Sequence, residues 1–326
     1  MSNNNDLKIA QSYSRFGPRA LFGQFMLEIA QKNKDLMILS ADLGRSSGLA
    51  RFKSEFPDQY LSVGISEQNL IGVAAGLANE GHKVFVTSFA PFLSMRASEQ
   101  IRMNLGYMKH GVNLVALGSG LSMGFLGNSH YGLEDVAIMR TIPNMNVTCP
   151  ADCAELGKVL NDYAFNHRGP SYIRLTGIPG SDFLYENDYQ YNFGKNKNLF
   201  IGKDLIILSY GSVLGQIKKS IEKIKKKYDY NVGLINVSTI KPFDKNLKKM
   251  IKRYKKILVI EEHTSIGGLC SIISEIIARN NINIDFSKIS LSDKFGPTGK
   301  YDFLLKYHRL DETSITNKIL KLLKKK

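Results

Sequence analysis

Residues 64–102 read GISEQNLIGVAAGLANEGHKVFVTSFAPFLSMRASEQIR, and this stretch predicts the main units of the fold. A turn carrying Glu67 leads into a small-residue helix over Ser66–Asn79, then a β-strand over Lys83–Ser88 and a second helix that begins with aromatic residues. A carboxylate at the start of so apolar a helix is not needed for solubility. Two explanations are open: Glu67 interacts with the helix dipole as a first-turn acid, or it serves a binding site.

The segments around this stretch alternate strand and helix patterns. The predicted strands are Met37–Ser40, Lys83–Ser88, Asn113–Gly118, Asn146–Cys149, Ser171–Leu175, Leu205–Ser209, Val232–Asn236, Ile257–Ile260 and Phe286–Leu291. Because strands that alternate with helices favour parallel sheets covered on both faces, we expect two doubly wound α/β domains. We place the first domain at 10–180, a linker at 181–200, and a smaller second domain at 201–326.

The composition is that of a globular protein, with 326 residues of which 43% are hydrophobic and 22% charged. No apolar run approaches the ~18–20 residues that span a bilayer, and the first residues lack the apolar segment of a secretory signal. The three scattered cysteines, Cys149, Cys153 and Cys270, are interpreted as buried structural thiols rather than as a disulfide framework or metal site. The sequence therefore predicts a cytoplasmic protein without membrane contact.

The net charge of +15 comes mostly from lysines after residue 195, in runs such as Lys218–Lys227 and Lys248–Lys256. These lysines fall on the polar sides of amphipathic helices, and no aromatic stacking box accompanies them, so nucleic-acid binding is disfavoured. Attraction of phosphorylated substrates or of an acidic partner subunit, and simple solvation, both remain open. Glu261 and Glu262 beside His263 are interpreted as a structural loop, because adjacent carboxylates at a strand end point to opposite sides. No metal ligand is predicted.

Five ordered motifs, GISEQN, GVAAGLA, SFAPFLSMRASEQIR, SHYGLEDVAIMR and IPNMNVTCPAD, closely resemble the thiamine-diphosphate enzymes of the transketolase family. The resemblance is to the pyrimidine-binding domain followed by the C-terminal domain, over roughly residues 15 to 320. It implies a transferase that moves a two-carbon ketol unit from a ketose donor to an aldose acceptor.

The resemblance assigns Glu67 to the cofactor. In the family, the matching carboxylate contacts N1′ of the aminopyrimidine and favours the imino tautomer that removes the C2 proton of the thiazolium. Phe92 matches the aromatic residue that stacks on the pyrimidine, and Phe89 lies beside it as part of the wall. Asp42 matches an acid that lines the site near the thiazolium.

The same resemblance assigns four residues to the substrate. His130 matches a histidine that faces the reacting carbonyl and hydroxyl groups, while Arg19, Ser46 and Arg174 match positions that hold the terminal phosphate. Arg174 ends a predicted strand, where its guanidinium is expected to reach into the cleft and bind phosphate through two hydrogen bonds.

The chain departs from the family pattern in its Gly-rich loop, residues 119–132 (SGLSMGFLGNSHYG). An acid that grips a substrate hydroxyl is expected four residues before the histidine, and Leu126 stands there instead. A modified sugar or a less hydroxylated acceptor is therefore expected in place of an ordinary pentose phosphate.

The GDG motif that holds Mg²⁺ and the cofactor's phosphates in the family is not found in these residues. The expectation is therefore a C-terminal subunit whose partner, an N-terminal subunit with the diphosphate-binding domain, holds most of the Mg²⁺ contacts in an α2β2 assembly. Alternatives are a component like the β-subunit of 2-oxo-acid dehydrogenases, an enzyme like deoxyxylulose-phosphate synthase, or a non-catalytic regulatory subunit.

Overall fold

The computed structural model describes residues 4–166, 168–186 and 189–324, which form two α/β units. The strands are β1 (Leu36–Ser40), β2 (Tyr60–Ser62), β3 (Lys83–Phe89), β4 (Val112–Leu117), β5 (Asn146–Thr148), β6 (Ser171–Arg174), β7 (Lys197–Phe200), β8 (Leu205–Ser209), β9 (Val232–Asn236), β10 (Thr239–Lys241), β11 (Lys256–Thr264) and β12 (Asp285–Leu291).

The α-helices are α1 (Asn4–Ala30), α2 (Ala50–Glu55), α3 (Glu67–Asn79), α4 (Ser98–Gln100), α5 (Asp135–Thr141), α6 (Cys153–Phe165), α7 (Val213–Lys227), α8 (Leu247–Ile251), α9 (Leu269–Arg279), α10 (Tyr301–Tyr307) and α11 (Glu312–Lys324). Two π-helical segments, Phe92–Arg96 and Ile101–Tyr107, flank α4, and we call residues 92–107 together the irregular helix. Short 3-10 turns lie at Pro57–Gln59 and Gly124–Leu126.

The strands form two sheets, as the sequence predicts. The first has the order β10-β5-β6-β4-β3-β1-β2 and the second the order β12-β11-β8-β9-β7. Every pairing is parallel except those of β10 with β5 and of β7 with β9. The predicted α/β class with two mainly parallel sheets is therefore confirmed. Strand β10 comes from the second half of the chain but extends the first sheet, so the two units are joined through a sheet edge as well as through side chains.

Two predicted boundaries differ from the structure. Strand β7 takes the last four residues of the segment predicted as linker into the second sheet. Strand β11 continues to Thr264, so Glu261, Glu262 and His263 lie in a strand and not in the predicted loop. Burial of Glu261 is possible because its carboxylate accepts hydrogen bonds from the backbone N–H groups of Leu269 and Cys270 at the start of α9, at 2.7 and 2.9 Å.

The parallel register brings the functional loops to one edge of the first sheet. Ser40 of β1 pairs with Thr87 of β3, and Phe89 of β3 pairs with Leu117 of β4, so these three strands end together. Helix α3 packs on this sheet through its buried face, formed by Leu70, Ile71, Ala74 and Ala75. The loops after the three strands therefore surround the beginning of α3.

Cys149 and Cys270 are buried free thiols and Cys153 is half-buried, which agrees with the prediction of structural cysteines. Burial raises the pKa of Cys153 to about 12. Within the described ranges, no helix is both long and apolar enough to cross a membrane.

Candidate active site

Glu67 is the first residue of α3, and its side chain is only 2% exposed. The hydroxyl of Ser88, near the end of β3, donates to Oε1 at 3.2 Å, and Nη1 of Arg96 donates to Oε2 at 2.7 Å. The carboxylate is thus buried at a helix N-terminus, where the dipole favours a negative charge, and one guanidinium neutralises it.

Arg96 also lies over the ring of Phe92. The central guanidinium carbon is 4.2 Å from the ring centroid, while the Arg96 side chain remains 48% exposed. A planar group that carries N–H donors therefore fits between the Phe92 ring and the Glu67 carboxylate. The sequence analysis missed Arg96, although a basic residue four positions after Phe92 in a helical segment indicates such a contact.

Three rings form the next part of the site. The ring centroids of Phe89 and Phe92 lie 6.0 Å apart, and the ring of His130 is 5.5 Å from Phe89 and 5.2 Å from Phe92. Nδ1 of His130 lies 3.0 Å from the hydroxyl of Ser129, which orients the imidazole. The structure thus brings together Glu67, Phe89, Phe92 and His130, four of the residues predicted to form the site.

A cleft of about 210 Å³ extends the site on the far side of Phe89. Arg19 and Ser46, two of the residues predicted to hold the terminal phosphate, both line this cleft, and so does Arg45. Gly118 forms the wall toward the rings, since a Cβ there would lie 2.3 Å from Met123 and 3.4 Å from Phe89. Arg45 was missed by the sequence analysis, although it precedes Ser46 in the same loop.

Asp42 lies in the loop after β1 and is exposed, with a left-handed φ of 57°. It is not among the described residues that line the cleft, so its assignment to the thiazolium end stays a prediction.

The prediction that the side chain of Arg174 reaches into the cleft is wrong. Its side chain is fully buried and does not reach the cleft, because Nε forms an ion pair with Asp135 Oδ2 at 2.9 Å. Nη2 donates to the backbone carbonyls of Gly132 and Glu262 at 2.8 and 3.0 Å. Burial alone would lower the pKa of Arg174, but the Asp135 carboxylate raises it, and the net pKa lies well above the usual value.

Leu126 is the residue predicted to stand where the family pattern has an acid. It ends the 3-10 turn Gly124–Leu126, four residues before His130, and is 42% exposed. Across the described ranges, no group of three or more His, Cys, Asp or Glu side chains is arranged to hold a metal ion.

Comparison with known domain families identifies the class of protein. Residues 17–177 match the family described as transketolase, pyrimidine binding domain, and residues 194–315 match the family described as transketolase, C-terminal domain. The chain therefore belongs to the transketolase family, whose members are thiamine-diphosphate-dependent transferases.

Several relatives of this chain are themselves a separate section or subunit of a transketolase. The chain is 39% identical to a putative transketolase C-terminal section of Methanocaldococcus jannaschii, covering 95% of this chain and 97% of that protein. It is 30% identical to one of the subunits of the apulose-4-phosphate transketolase of Phocaeicola vulgatus, covering 94% and 97%. Among solved structures, the inactive β4 tetramer of a split-gene transketolase is similar, with a TM-score of 0.82, 30% identity and coverage of 94% and 97%.

Proposed function

We propose that this chain is the C-terminal subunit of a heteromeric transketolase that transfers a two-carbon ketol unit from a ketose phosphate donor to an aldose acceptor. The observation that carries the proposal is the buried Glu67 carboxylate, which shares its Arg96 partner with the ring of Phe92, while that ring contacts His130. The match to the pyrimidine-binding and C-terminal domains supports it over the length of the chain.

Glu67 and Phe92 would hold the aminopyrimidine of thiamine diphosphate. Their spacing suits this group, because the planar guanidinium of Arg96 contacts the same ring and carboxylate. Glu67 would share a proton with the pyrimidine ring nitrogen, and Phe92 would support the flat face of the ring. When bound, thiamine diphosphate supplies the nucleophilic carbon that accepts and releases the two-carbon unit.

His130 would serve the sugar. With Nδ1 oriented by the Ser129 hydroxyl, Nε2 is expected to exchange a proton with a carbonyl or hydroxyl oxygen of the substrate. The contacts of the His130 ring with Phe89 and Phe92 hold it next to the proposed cofactor position.

Arg19, Arg45 and Ser46 would hold the anionic end of the substrate. Two guanidinium groups and a hydroxyl in one cleft match the donors that a phosphate group prefers. One relative is named for apulose 4-phosphate, a phosphorylated sugar. Leu126, which cannot hydrogen-bond a hydroxyl, supports a modified or specialised sugar in this chain as well.

An exposed apolar surface near Glu67 supports the need for a partner. We define the docking face as seven exposed apolar or glycine residues from α3, the turn before it, the irregular helix and the residue that follows the irregular helix: Ile65, Gly72, Gly76, Met95, Met103, Tyr107 and Met108. Ile65 and Tyr107 are each 76% exposed, and a cluster of exposed apolar side chains is typical of an interface. We propose that this face takes part in an α2β2 assembly, in which the N-terminal subunit contributes the diphosphate-binding domain and most of the Mg²⁺ contacts.

Reconstitution tests the proposal. The isolated chain should bind thiamine diphosphate weakly and lack ketol transfer, and activity should appear when it is mixed with its N-terminal partner. Robust ketol transfer by the isolated chain would contradict the proposal that the active site is shared between two subunits.

A substitution at Glu67 tests the catalytic role against that of a non-catalytic subunit. Glu67→Ala should lower the activity of the complex by several orders of magnitude. Glu80→Ala, which removes an exposed acid at the other end of α3, is the matched control and should retain activity. Full activity of the Glu67→Ala complex would instead favour a regulatory subunit.

A further inference from the structure

Arg96 makes the two contacts that the proposed function reserves for the aminopyrimidine. Its Nη1 donates to Oε2 of Glu67 at 2.7 Å, and its guanidinium carbon lies 4.2 Å from the Phe92 centroid. A guanidinium resembles an aminopyrimidine in two respects: it is planar, and it carries N–H donors in that plane. One side chain thus satisfies both the carboxylate and the aromatic face.

We propose that Arg96 is a displaceable placeholder, which occupies Glu67 and Phe92 in the cofactor-free chain and must leave when thiamine diphosphate binds. This inference rests on the proposed role of Glu67 in cofactor binding. It adds a residue that sets the affinity for the cofactor and is itself not part of the bound site.

The burial of the three side chains determines which of them can move. Glu67 is 2% exposed and is also held by the Ser88 hydroxyl, so it stays in place. Phe92 packs against the rings of Phe89 and His130, which restrict its movement. Arg96 is 48% exposed, so its guanidinium can rotate into solvent without opening the core.

The placeholder has a physical purpose in the free subunit. A buried carboxylate without a partner is costly, and Arg96 neutralises it until the cofactor arrives. Arg96 and the cofactor cannot occupy Glu67 at the same time. The apparent Kd for thiamine diphosphate is therefore the intrinsic Kd divided by the fraction of chains in which Arg96 has left Glu67.

A different role for Arg96 predicts the opposite result. If Arg96 stayed on Glu67 in the loaded enzyme, it would help to orient the carboxylate toward the cofactor. Removal of Arg96 would then weaken cofactor binding, whereas removal of a placeholder strengthens it. The sign of the change in affinity therefore separates the two roles.

The experiment measures thiamine diphosphate binding to the assembled complex by titration calorimetry, with Mg²⁺ in excess. We expect Arg96→Met to bind the cofactor roughly five- to twentyfold more tightly than the wild type. Arg96→Lys, which keeps the charge but lacks the planar group, should fall between them. Arg279→Met is the matched control, because it removes an exposed arginine whose Nη2 lies 3.7 Å from the Glu275 carboxylate on α9. The affinity of this variant for thiamine diphosphate should equal that of the wild type.

A second measurement needs no cofactor. Thermal unfolding of the isolated wild type, Arg96→Met, Glu67→Gln and the double variant should give a non-zero coupling between the two positions. The inference is overturned if Arg96→Met binds the cofactor equally or more weakly, or if the coupling is zero. Failure of the proposed function looks different: neither the wild type nor any variant would bind thiamine diphosphate, whatever the coupling.

Discussion

The guanidinium of Arg174 and the carboxylate of Asp135 form an ion pair in which both side chains are fully buried, with Nε 2.9 Å from Oδ2. The pair lies where the two α/β units meet. Arg174 ends β6 of the first sheet and donates to the carbonyl of Glu262, which belongs to β11 of the second sheet. The hydroxyl of Tyr172 also donates to Asp135, at 2.9 Å. The pair therefore connects one unit to the other.

Removal of either partner should destabilise the fold. Arg174→Met or Asp135→Asn leaves a buried group without its partner, so we expect a loss of about 3–5 kcal/mol in the free energy of unfolding. Replacement of both by apolar residues, as in the double variant Arg174→Met with Asp135→Leu, should cost less than the sum of the single changes. Denaturant titration measures all three. An Arg174→Met complex with normal stability and a raised KM for phosphorylated substrate would restore the phosphate role.

Glu155 should make stability depend on pH. It is fully buried on α6, and burial raises its pKa from 4.5 to about 7, although the backbone N–H of Ala151 and Nδ2 of Asn236 donate to it. Since the folded state holds the proton more tightly than the unfolded state, this stabilisation is complete below about pH 4.5 and is lost as the pH rises through about 7. The loss for this one group is on the order of 3 kcal/mol.

Glu155→Gln isolates this contribution. The free energy of unfolding is measured for the wild type and the variant at pH 5 and at pH 8. The two proteins share all their other titratable groups, so the difference between them reports on Glu155. The wild type should lose more stability between the two values than the variant does. Equal losses would mean that Glu155 does not titrate in this range.

Much of the fold is predictable because the signals are local. The small-residue pattern of α3 and the apolar run of β3 lie within one stretch, and both elements form within one residue of the predicted bounds. Short elements such as β7 and β10 were missed, because three or four residues carry too little pattern and their pairing partners are distant in the sequence.

Side-chain directions were harder to predict than elements. From its position at a strand end, the side chain of Arg174 could enter the cleft or could be buried between the two α/β units. The choice depends on Asp135, a residue 39 positions away in the sequence that becomes its neighbour only in the fold. Arg96 was missed for a similar reason, since its partner Glu67 lies 29 positions earlier.

Two substitutions at Gly76 should have different effects, one on the stability of the isolated chain and the other on its assembly with the partner. It lies exposed within α3, and a Cβ there would meet nothing within 4 Å. Gly76→Ala should therefore stabilise the isolated chain by about 0.5–1 kcal/mol, because alanine favours the helix. Gly76→Arg should leave the isolated chain folded but weaken assembly at the docking face.

Analytical ultracentrifugation of the mixed subunits measures assembly. Thr313→Arg, which adds the same charge to an exposed position on α11, is the control and should assemble normally. Normal assembly of Gly76→Arg would exclude this part of α3 from the interface.

Arg19 should determine the affinity for the anionic end of the substrate. Arg19→Gln removes one of the two guanidinium groups in the cleft, so we expect KM for a phosphorylated ketose to rise about ten- to a hundredfold with little change in kcat. Arg253→Gln removes the same charge from an exposed position in the second unit and should change neither constant. A fall in kcat with an unchanged KM would place Arg19 at the reacting end instead.

We expect Leu126 to affect the specificity of the enzyme for sugars that differ in their hydroxyl groups. The backbone N–H of Leu126 donates to the carbonyl of Met123, and Met123 lines the anion cleft. His130 lies four residues after Leu126 in the sequence. We expect a carboxylate at this position to reach a substrate that is held by His130 and the anion cleft. Because the side chain is 42% exposed, Leu126→Asp should cost little stability.

The activity ratio is the informative measurement for Leu126. We expect Leu126→Asp to raise kcat/KM for an ordinary pentulose phosphate donor by about tenfold or more, since a hydroxyl would gain a charged acceptor. Leu126→Asn, which has a similar shape but no charge, should give a smaller gain. A site adapted to a less hydroxylated sugar should lose activity toward that sugar in both variants, because the polar side chain would remain unpaired in the complex. Unchanged activity toward the pentulose phosphate would show that residue 126 does not reach the substrate, and the specificity would then have to arise elsewhere in the Gly-rich loop.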